Sequence, residues 1–523
     1  MAETSAAASE YEEALSAISS LITRRTRADG TNKGDQFDLL YDYLKILELE
    51  GRLSKLNVIH VAGTKGKGST CTFSESILRS CGFHTGLFTS PHLIDLRERF
   101  RLDGVEISEE KFLRYFWWCW NQLKEKATDD VPMPNYFRFL TLLSFKIFIE
   151  EQVDVAILEV GLGGKFDATN VVEAPIVCGI SSLGYDHMEI LGNTLGQIAG
   201  EKAGIFKRDI PAYTVNQPEE AMSVLESKAL ELDVPLRIAK PLDISMLNGQ
   251  QLGLAGDHQL INAGLAVSLC HTWIQKLGHG GKLDMKNSSC IPEQFVDGLV
   301  AARMQGRAQI VPDVCMKMQN EVKSGELTFY LDGAHSPESM VVCGRWFANA
   351  IKEASSMSET HLTDAYISKS STKKSIQILL FNCMPVRDPK LLLPVLVNTF
   401  AEYGVHFQKA LFVPSQSVFN KLGANASATT DPSQVDLSWQ LTLQKAWRNL
   451  IHSSNDNERV SPIYDESNLE LVLNDQSSAV ISSLPLAIKW LRGIAQLNEL
   501  VHVQVLVTGS LHLVGDVLRL IKS

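Results

Sequence analysis

The chain has 523 residues, 45% hydrophobic and 21% charged, with a formal net charge of −11. That length is too great for one hydrophobic core and predicts two or three domains. The acidic balance leaves no electrostatic footprint for nucleic acid or anionic membrane, and no apolar run reaches the roughly 20 residues that a bilayer span requires.

The amino end, MAETSAAASEYEEAL, carries four glutamates and no Lys or Arg before Arg24. That pattern suits neither a secretory signal nor an arginine-rich transit peptide. The first strong signal follows at Val58–Val61, a β-branched run that stops at AGTKGKGST, with a helical pattern from Thr70 towards Ser80. Strand, glycine-rich loop and helix form the setting in which backbone N–H groups wrap a phosphate chain. Gly63, Gly66 and Gly68 permit close approach of an anion, Lys65 and Lys67 bring cationic heads, and Ser69 or Thr70 offers a hydroxyl to a phosphate-bound Mg²⁺. The pattern departs from GxxxxGK[ST]: Val61 stands where that motif wants glycine, and no lysine separates Gly68 from Ser69. A plain glycine-rich surface turn is the alternative. Its place between strand and helix favours nucleoside triphosphate binding, and the departure argues against ordinary kinases and GTPases.

Leu87–Leu93, LFTSPHL, then ends a short apolar run with Ser90, Pro91 and His92. Amphipathic stretches at Glu109–Lys126 and Phe137–Glu150 predict helices, and Trp117, Trp118 and Trp120 in the first read as core packing at helical spacing. Strands are expected at Val153–Glu159, Ile176–Ser181 and Ala212–Val215. Glu159 closes an apolar run, where an unpaired carboxylate would be costly to bury. A cation or arginine is expected beside it, with a salt bridge or helix cap as the alternative. Asp186 and His187 follow the next strand and can converge with Glu159 on one metal, although Mg²⁺ prefers oxygen over imidazole. Lys202, in GEKAGIFK, reads by itself as a solvated helix face.

GDHQLINA opens another helix with His258, Gln259 and Asn262 on one side, suited to a nucleotide edge or equally to capping. Arg307 is placed to neutralise a phosphate oxygen. A second α/β series follows at Leu327–Leu331, Ile376–Phe381, Ala410–Val413, Ala479–Ser482 and Val503–Val507. FYLDGAHSPES puts Asp332 and His335 at a strand end and starts a helix at Ser336-Pro337-Glu338. The alternation predicts α/β layers with mainly parallel sheets, divided near Val311–Asp313 into residues 1–311 and 312–523. Leu277–Ser289, Ala354–Lys374, Gly423–Ser433 and Ser453–Pro462 read as polar loops. The nine cysteines lack CxxC spacing and read as reduced core thiols of a cytosolic protein.

Taken together, AGTKGKGST, FTSPHL, RERFR, FRFLT, LEVGLGGKFDATN, DHQLINA, GRAQ and DGAHSPES resemble the folylpolyglutamate synthases, among the ATP-dependent amino-acid ligases that include the cell-wall Mur ligases. The resemblance runs from about Tyr41 to the C-terminus and accounts for the unusual phosphate loop. It implies a Mur-ligase-like fold: an ATP- and folate-binding P-loop domain in residues 1–311 and a Rossmann-like domain in 312–523 that contributes to ATP and glutamate binding. Gly63, Thr64, Lys65, Gly66, Lys67, Gly68 and Ser69 would hold the ATP phosphates, with Asn262, Arg307 and Asp332 as further nucleotide contacts. Ser90, Glu159 and His187 match the family's Mg²⁺ ligands, and Arg97, Glu98 and Arg99 fall where the family approaches the folate. Lys67, Lys202 and His335 are the implied catalytic residues, Lys202 matching a lysine that is carbamylated in some bacterial relatives. Ser336 stands where the family often has asparagine.

The implied reaction is ATP-dependent addition of L-glutamate to the γ-carboxylate of tetrahydrofolate and its polyglutamates, through an acyl phosphate. ATP and Mg²⁺ are the implied cofactors, with a monovalent cation left open. The expected state is a cytosolic monomer without nucleic-acid or membrane partners. Dihydrofolate synthase, which joins glutamate to dihydropteroate, and a P-loop phosphotransferase or regulatory NTPase remain the rival readings.

Overall fold

A computed structural model describes residues 2–22, 37–278, 291–313, 325–360, 374–416, 436–451, 463–466, 477–497 and 501–522. The chain forms two compact units, Met1–Met304 and Gln305–Ser523. Of the expected polar loops, Gly423–Ser433 and Ser453–Pro462 lie outside the described residues, as does most of Leu277–Ser289 and Ala354–Lys374.

The first unit is built on strands β1 (Val58–Ala62), β2 (Thr85–Phe88), β3 (Phe100–Leu102), β4 (Val105–Glu106), β5 (Val155–Glu159), β6 (Val177–Ile180), β7 (Ala212–Thr214) and β8 (Leu236–Ile238). They lie in the order β4-β3-β2-β5-β1-β6-β7-β8, parallel except for the β2–β3–β4 edge. β1 sits between β5 and β6, so it is buried on both faces and reads as an unbroken apolar run around one histidine. Ile59 and Val61 pack with Phe73 and Ile77 of the helix Lys67–Ser80 and with Leu269 and Trp273 of the helix His258–Lys276. Ala62 faces the other way, into a cluster with Cys178, Ile180, Ala199 and Leu225. Side chains alternate along a strand, so His60 shares the Ala62 side.

Local chemistry sets the helix starts. Asn135 accepts from the Arg138 N–H at 3.1 Å and opens Tyr136–Glu150; Ser108 accepts from Lys111 N at 3.3 Å and opens Glu109–Glu125. Thr194 and Gln197 form a reciprocal capping box at the start of Leu195–Lys202, the helix that ends on Lys202. The aromatic cluster lies in Glu109–Glu125, where Trp120 stacks on the fully buried Phe116 at 5.7 Å and the Lys146 ammonium sits 3.6 Å above the Trp118 ring. These rings join two helices.

The second unit carries β9 (Gln309–Pro312), β10 (Glu326–Leu331), β11 (Lys374–Phe381), β12 (Lys409–Phe412), β13 (Ile463–Tyr464), β14 (Ser478–Ile481) and β15 (Val501–Thr508), in the order β13-β14-β12-β11-β15-β10-β9. All neighbours are parallel except β9, which runs antiparallel to β10. That pairing draws Gln309–Pro312 into the second unit, so the division falls between Met304 and Gln305, ahead of the expected Val311–Asp313. Among the described residues no helix is long and apolar enough to cross a membrane.

Candidate active site

In the first unit, the loop after β1 is the centre of the site. The helix behind it begins at Lys67, earlier than the expected Thr70, because Gly66 adopts φ +87° and turns the chain directly into the helix. Thr70 N to Gly66 O is the first helical hydrogen bond, at 2.9 Å. The N–H groups of Lys67, Gly68 and Ser69 lie ahead of it, without intrahelical acceptors, at the positive end of the helix dipole. The Thr64 and Lys65 N–H groups have another use: both donate to the Ser182 carbonyl, at 3.0 Å each. The Thr64 hydroxyl donates to Gly184 O at 3.2 Å, and the Lys65 ammonium is 3.6 Å from Asp186. Thr64 and Lys65 thus tie the loop to the segment after β6, while Gly66–Ser69 presents the donors.

Two glycines are fixed by what presses on them. A Cβ at Gly63 would stand 1.9 Å from Ser181 Oγ, and one at Gly66 would stand 2.1 Å from Asn262 Oδ1. Asn262 is buried against the loop, donating to Gln259 Oε1 at 2.9 Å, and Gln259 in turn donates to Ser69 Oγ at 3.3 Å.

Two lysines converge on one oxygen. Lys67 Nζ donates to the Gly63 carbonyl at 3.1 Å and Lys202 Nζ to the same carbonyl at 2.7 Å. Lys202 is buried, only 4% exposed, contrary to the solvated face that its sequence setting alone suggests. Burial first, and the nearby Lys67 ammonium second, lower its pKa to about 7, against smaller opposing effects of Asp186 and Asp167.

Glu159 ends β5, is 4% exposed, and accepts from the Ser90 N–H at 2.9 Å. Its carboxylate lies 3.4 Å from where a Cβ on Gly68 would stand, so β5 brings it against the Gly63–Ser69 loop. Glu159 thus brings a hard carboxylate oxygen, of the kind Mg²⁺ takes, to the Ser90 backbone and Gly68. His187 starts a short helix with φ +51° and has its Nδ1 3.6 Å from Glu189 Oε1. Among the described residues no cluster of three or more His, Cys, Asp or Glu could hold a metal by itself.

The Ser90–Arg99 segment is shaped by its own side chains. Glu98 accepts from the N–H groups of Leu93, Ile94 and Asp95 at 2.6, 2.8 and 2.8 Å. Asp95 holds Arg97 and receives the Tyr11 hydroxyl at 2.6 Å, a tie from the helix Ala2–Ser19. Arg99 is buried and donates to His92 Nδ1 at 2.9 Å. Arg97 and Glu98 therefore serve the loop's conformation.

In the second unit, Asp332 follows β10 and accepts the N–H groups of Ala308 at 2.9 Å and Ala334 at 3.0 Å. Burial raises its pKa, opposed by Arg307. Gly333 N donates to Gly306 O at 3.2 Å, so the turn carrying Arg307 is fastened to the Asp332 strand end. His335 Nδ1 lies 2.9 Å from Gly333 O. A carbonyl only accepts, so in the neutral ring Nδ1 bears the proton and Nε2 is the basic nitrogen. The Ser339 hydroxyl accepts from the N–H groups of His335 and Ser336, at 3.0 and 2.9 Å, and braces the turn into the helix Pro337–Thr360.

The first unit thus gathers Gly63–Ser69, Ser90, Glu159, Lys202 and Asn262, and the second gathers Arg307, Asp332 and His335. Sequence reasoning passed over Tyr11, the Ser182 carbonyl, His60 and the buried pair Asp167 and Thr169. Only the last had a local signal, an aspartate two residues ahead of a threonine in a glycine-rich turn.

No family model matches the chain. A folylpolyglutamate synthase of Arabidopsis thaliana is 60% identical over 519 residues, covering 98% of this chain and 88% of that one. A mitochondrial folylpolyglutamate synthase of Homo sapiens is 36% identical over 579 residues, covering 98% and 92%. Among solved structures, the Mycobacterium tuberculosis folylpolyglutamate synthase complexed with ADP superposes with a TM-score of 0.67 at 20% identity, over 98% of this chain and 99% of that one. An FPGS–AMPPCP–folate complex gives 0.61 at 20% identity, over 98% of each chain.

Proposed function

The chain belongs to the folylpolyglutamate synthase family, and on that premise we propose that it joins L-glutamate, at the expense of ATP, to the γ-carboxylate of tetrahydrofolate and its polyglutamates. A carboxylate is a poor electrophile. One of its oxygens first attacks the γ-phosphorus of ATP, ADP leaves, and an acyl phosphate forms. The neutral amine of glutamate then attacks the acyl carbon, phosphate departs, and the amine sheds a proton as the amide forms.

The residues suit these demands. The N–H groups of Lys67, Gly68 and Ser69 and the Lys67 ammonium face the charge that grows on the transferred phosphoryl group. Asn262 and Gln259 hold the loop in that shape, with Arg307 and Asp332 as nucleotide contacts in the second unit. Glu159, with Ser90 and His187 as the further ligands that the family resemblance implies, would hold Mg²⁺, which would neutralise charge at the phosphate oxygens. His335, whose Nδ1 is committed to the Gly333 carbonyl, is the catalytic candidate of the second unit. Lys202, with a pKa of about 7, holds a substantial neutral fraction near neutrality, the form that can take up CO₂ as a carbamate.

The observation that carries this reading is the Gly63–Ser69 loop, with two lysines on one carbonyl and Glu159 beside Gly68. The test is incorporation of labelled glutamate into a panel of pteroates and folates, with ADP release followed in parallel. Glutamate-dependent ADP release with tetrahydrofolate is the expected result. Activity only with dihydropteroate would make the protein a dihydrofolate synthase, and ADP release indifferent to glutamate would make it an NTPase. The acidic charge and unpaired described cysteines support a cytosolic monomer with no nucleic-acid or membrane partner, which light scattering and fractionation test.

A further inference from the structure

The steps above leave unused a buried polar chain that starts within β1. His60 is fully buried, and its Nε2 lies 2.8 Å from Thr169 Oγ1. The same hydroxyl oxygen is 2.6 Å from Asp167 Oδ1. Asp167 also accepts the N–H groups of Gly161, Leu162 and Thr169, each at 3.0 Å. The threonine hydroxyl has one proton, and a carboxylate can only accept, so that proton points to Asp167. The threonine oxygen must then receive its other hydrogen bond from His60, which assigns the Nε2–H tautomer. Burial keeps the imidazole neutral, with its pKa lowered to about 3.

The turn that Asp167 shapes grips the segment carrying Lys202. Lys165 N donates to Glu201 O at 2.8 Å, and Asn170 Nδ2 donates to Gly204 O at 3.0 Å. A Cβ on Gly164 would stand 2.8 Å from the carbonyl oxygens of both Glu201 and Lys202, so the two backbones touch. Lys202 then reaches back to the Gly63 carbonyl, just past the end of the strand that carries His60. The chain of contacts closes on itself.

The geometry points to His60 and Thr169 as positioning residues: their hydrogen bond fixes the Gly161–Asn170 turn and thereby aims Lys202 at the Gly63 carbonyl. This inference rests on the ligase reading and on the part given there to Lys202. The bond can be removed from either side, by Thr169→Val or His60→Phe, and kept by Thr169→Ser or His60→Gln. With the full chain and labelled glutamate, the first pair should lose about tenfold in kcat with KM for ATP changed less than about threefold. The second pair should recover to within about threefold of wild type. In a Lys202→Gln background, Thr169→Val should add less than about a twofold further loss, since both changes break one circuit.

If His60→Phe fails to fold, the threonine pair still decides the matter. Equal losses for Val and Ser at position 169, wild-type turnover in Thr169→Val, or the full tenfold loss repeated in the Lys202→Gln background would overturn the assignment. A wild-type chain that incorporates no glutamate would overturn the ligase reading, and this inference with it.

Discussion

Replacing Lys202 by methionine should make the first unit more stable in acid and remove that advantage in alkali. Burial lowers the Lys202 pKa from 10.5 to about 7. Between those values the unfolded chain holds a proton that the folded chain has released, so stability rises with pH through the window. Below about pH 7 both states are protonated and the full cost of an ammonium in a buried site is present. Each pKa unit is worth about 1.4 kcal/mol, so the lysine costs the fold about 5 kcal/mol at pH 6 and about 1 kcal/mol at pH 10. Lost hydrogen bonding of the neutral amine to Gly63 O reduces the variant's gain by roughly 1–3 kcal/mol, a constant offset at every pH because the ammonium's share is already in the pKa shift. The robust quantity is therefore the change with pH, about 4 kcal/mol between pH 6 and 10, on the order of 10 °C in melting temperature for a unit of this size. Melting curves of wild type and Lys202→Met in CO₂-free buffer across that range measure it, since titrations common to both proteins cancel. A stability difference that stays flat from pH 6 to 10 would refute the claim that Lys202 is buried and depressed in its proton affinity.

Three further outcomes follow from the loop and its carboxylate. Lys67→Ala should reduce turnover by about 10²-fold or more while melting within a few degrees of wild type, as steady-state kinetics and calorimetry will show. Gly66→Ala combines φ +87° with a Cβ 2.1 Å from Asn262 Oδ1, so it should weaken nucleotide binding at least about tenfold by calorimetric titration; unchanged affinity would mean that Asn262 does not brace the loop. Glu159→Gln keeps the volume and removes the charge. It should raise the Mg²⁺ concentration for half-maximal activity about tenfold or more, and an unaltered Mg²⁺ dependence would remove Glu159 from the metal site.

Elements with strong apolar runs were legible from the sequence: β1, β5, β6 and, in the second sheet, β10, β11, β12, β14 and β15 fall where such runs lie between polar breaks. The short edge strands β3 and β4 were not, because runs of three and two residues carry no period. Their one signal was Asp103-Gly104, which takes φ +50° and +80° as a two-residue hairpin demands. β9 was not expected at all, because a four-residue run has little period of its own and is a strand here through its antiparallel pairing with β10. The turn at Gly63–Ser69 could be located because its glycines and lysines are adjacent in the chain. Lys202 could not be placed without the family resemblance, since nothing near it in sequence indicates that it points inward at an oxygen 139 positions earlier. His60 was hidden for the opposite reason: one polar residue in an apolar strand looks like an imperfection until its partner on a distant turn is known.

The Gly63 oxygen has two lone pairs, and amines from two different helices claim them. A triphosphate that draws Lys67 to its own oxygens vacates one of those claims and leaves Lys202 as sole tenant, with a like charge moved away. Whether the nucleotide pocket is full is then felt as a change in basicity at an amine the nucleotide need never touch.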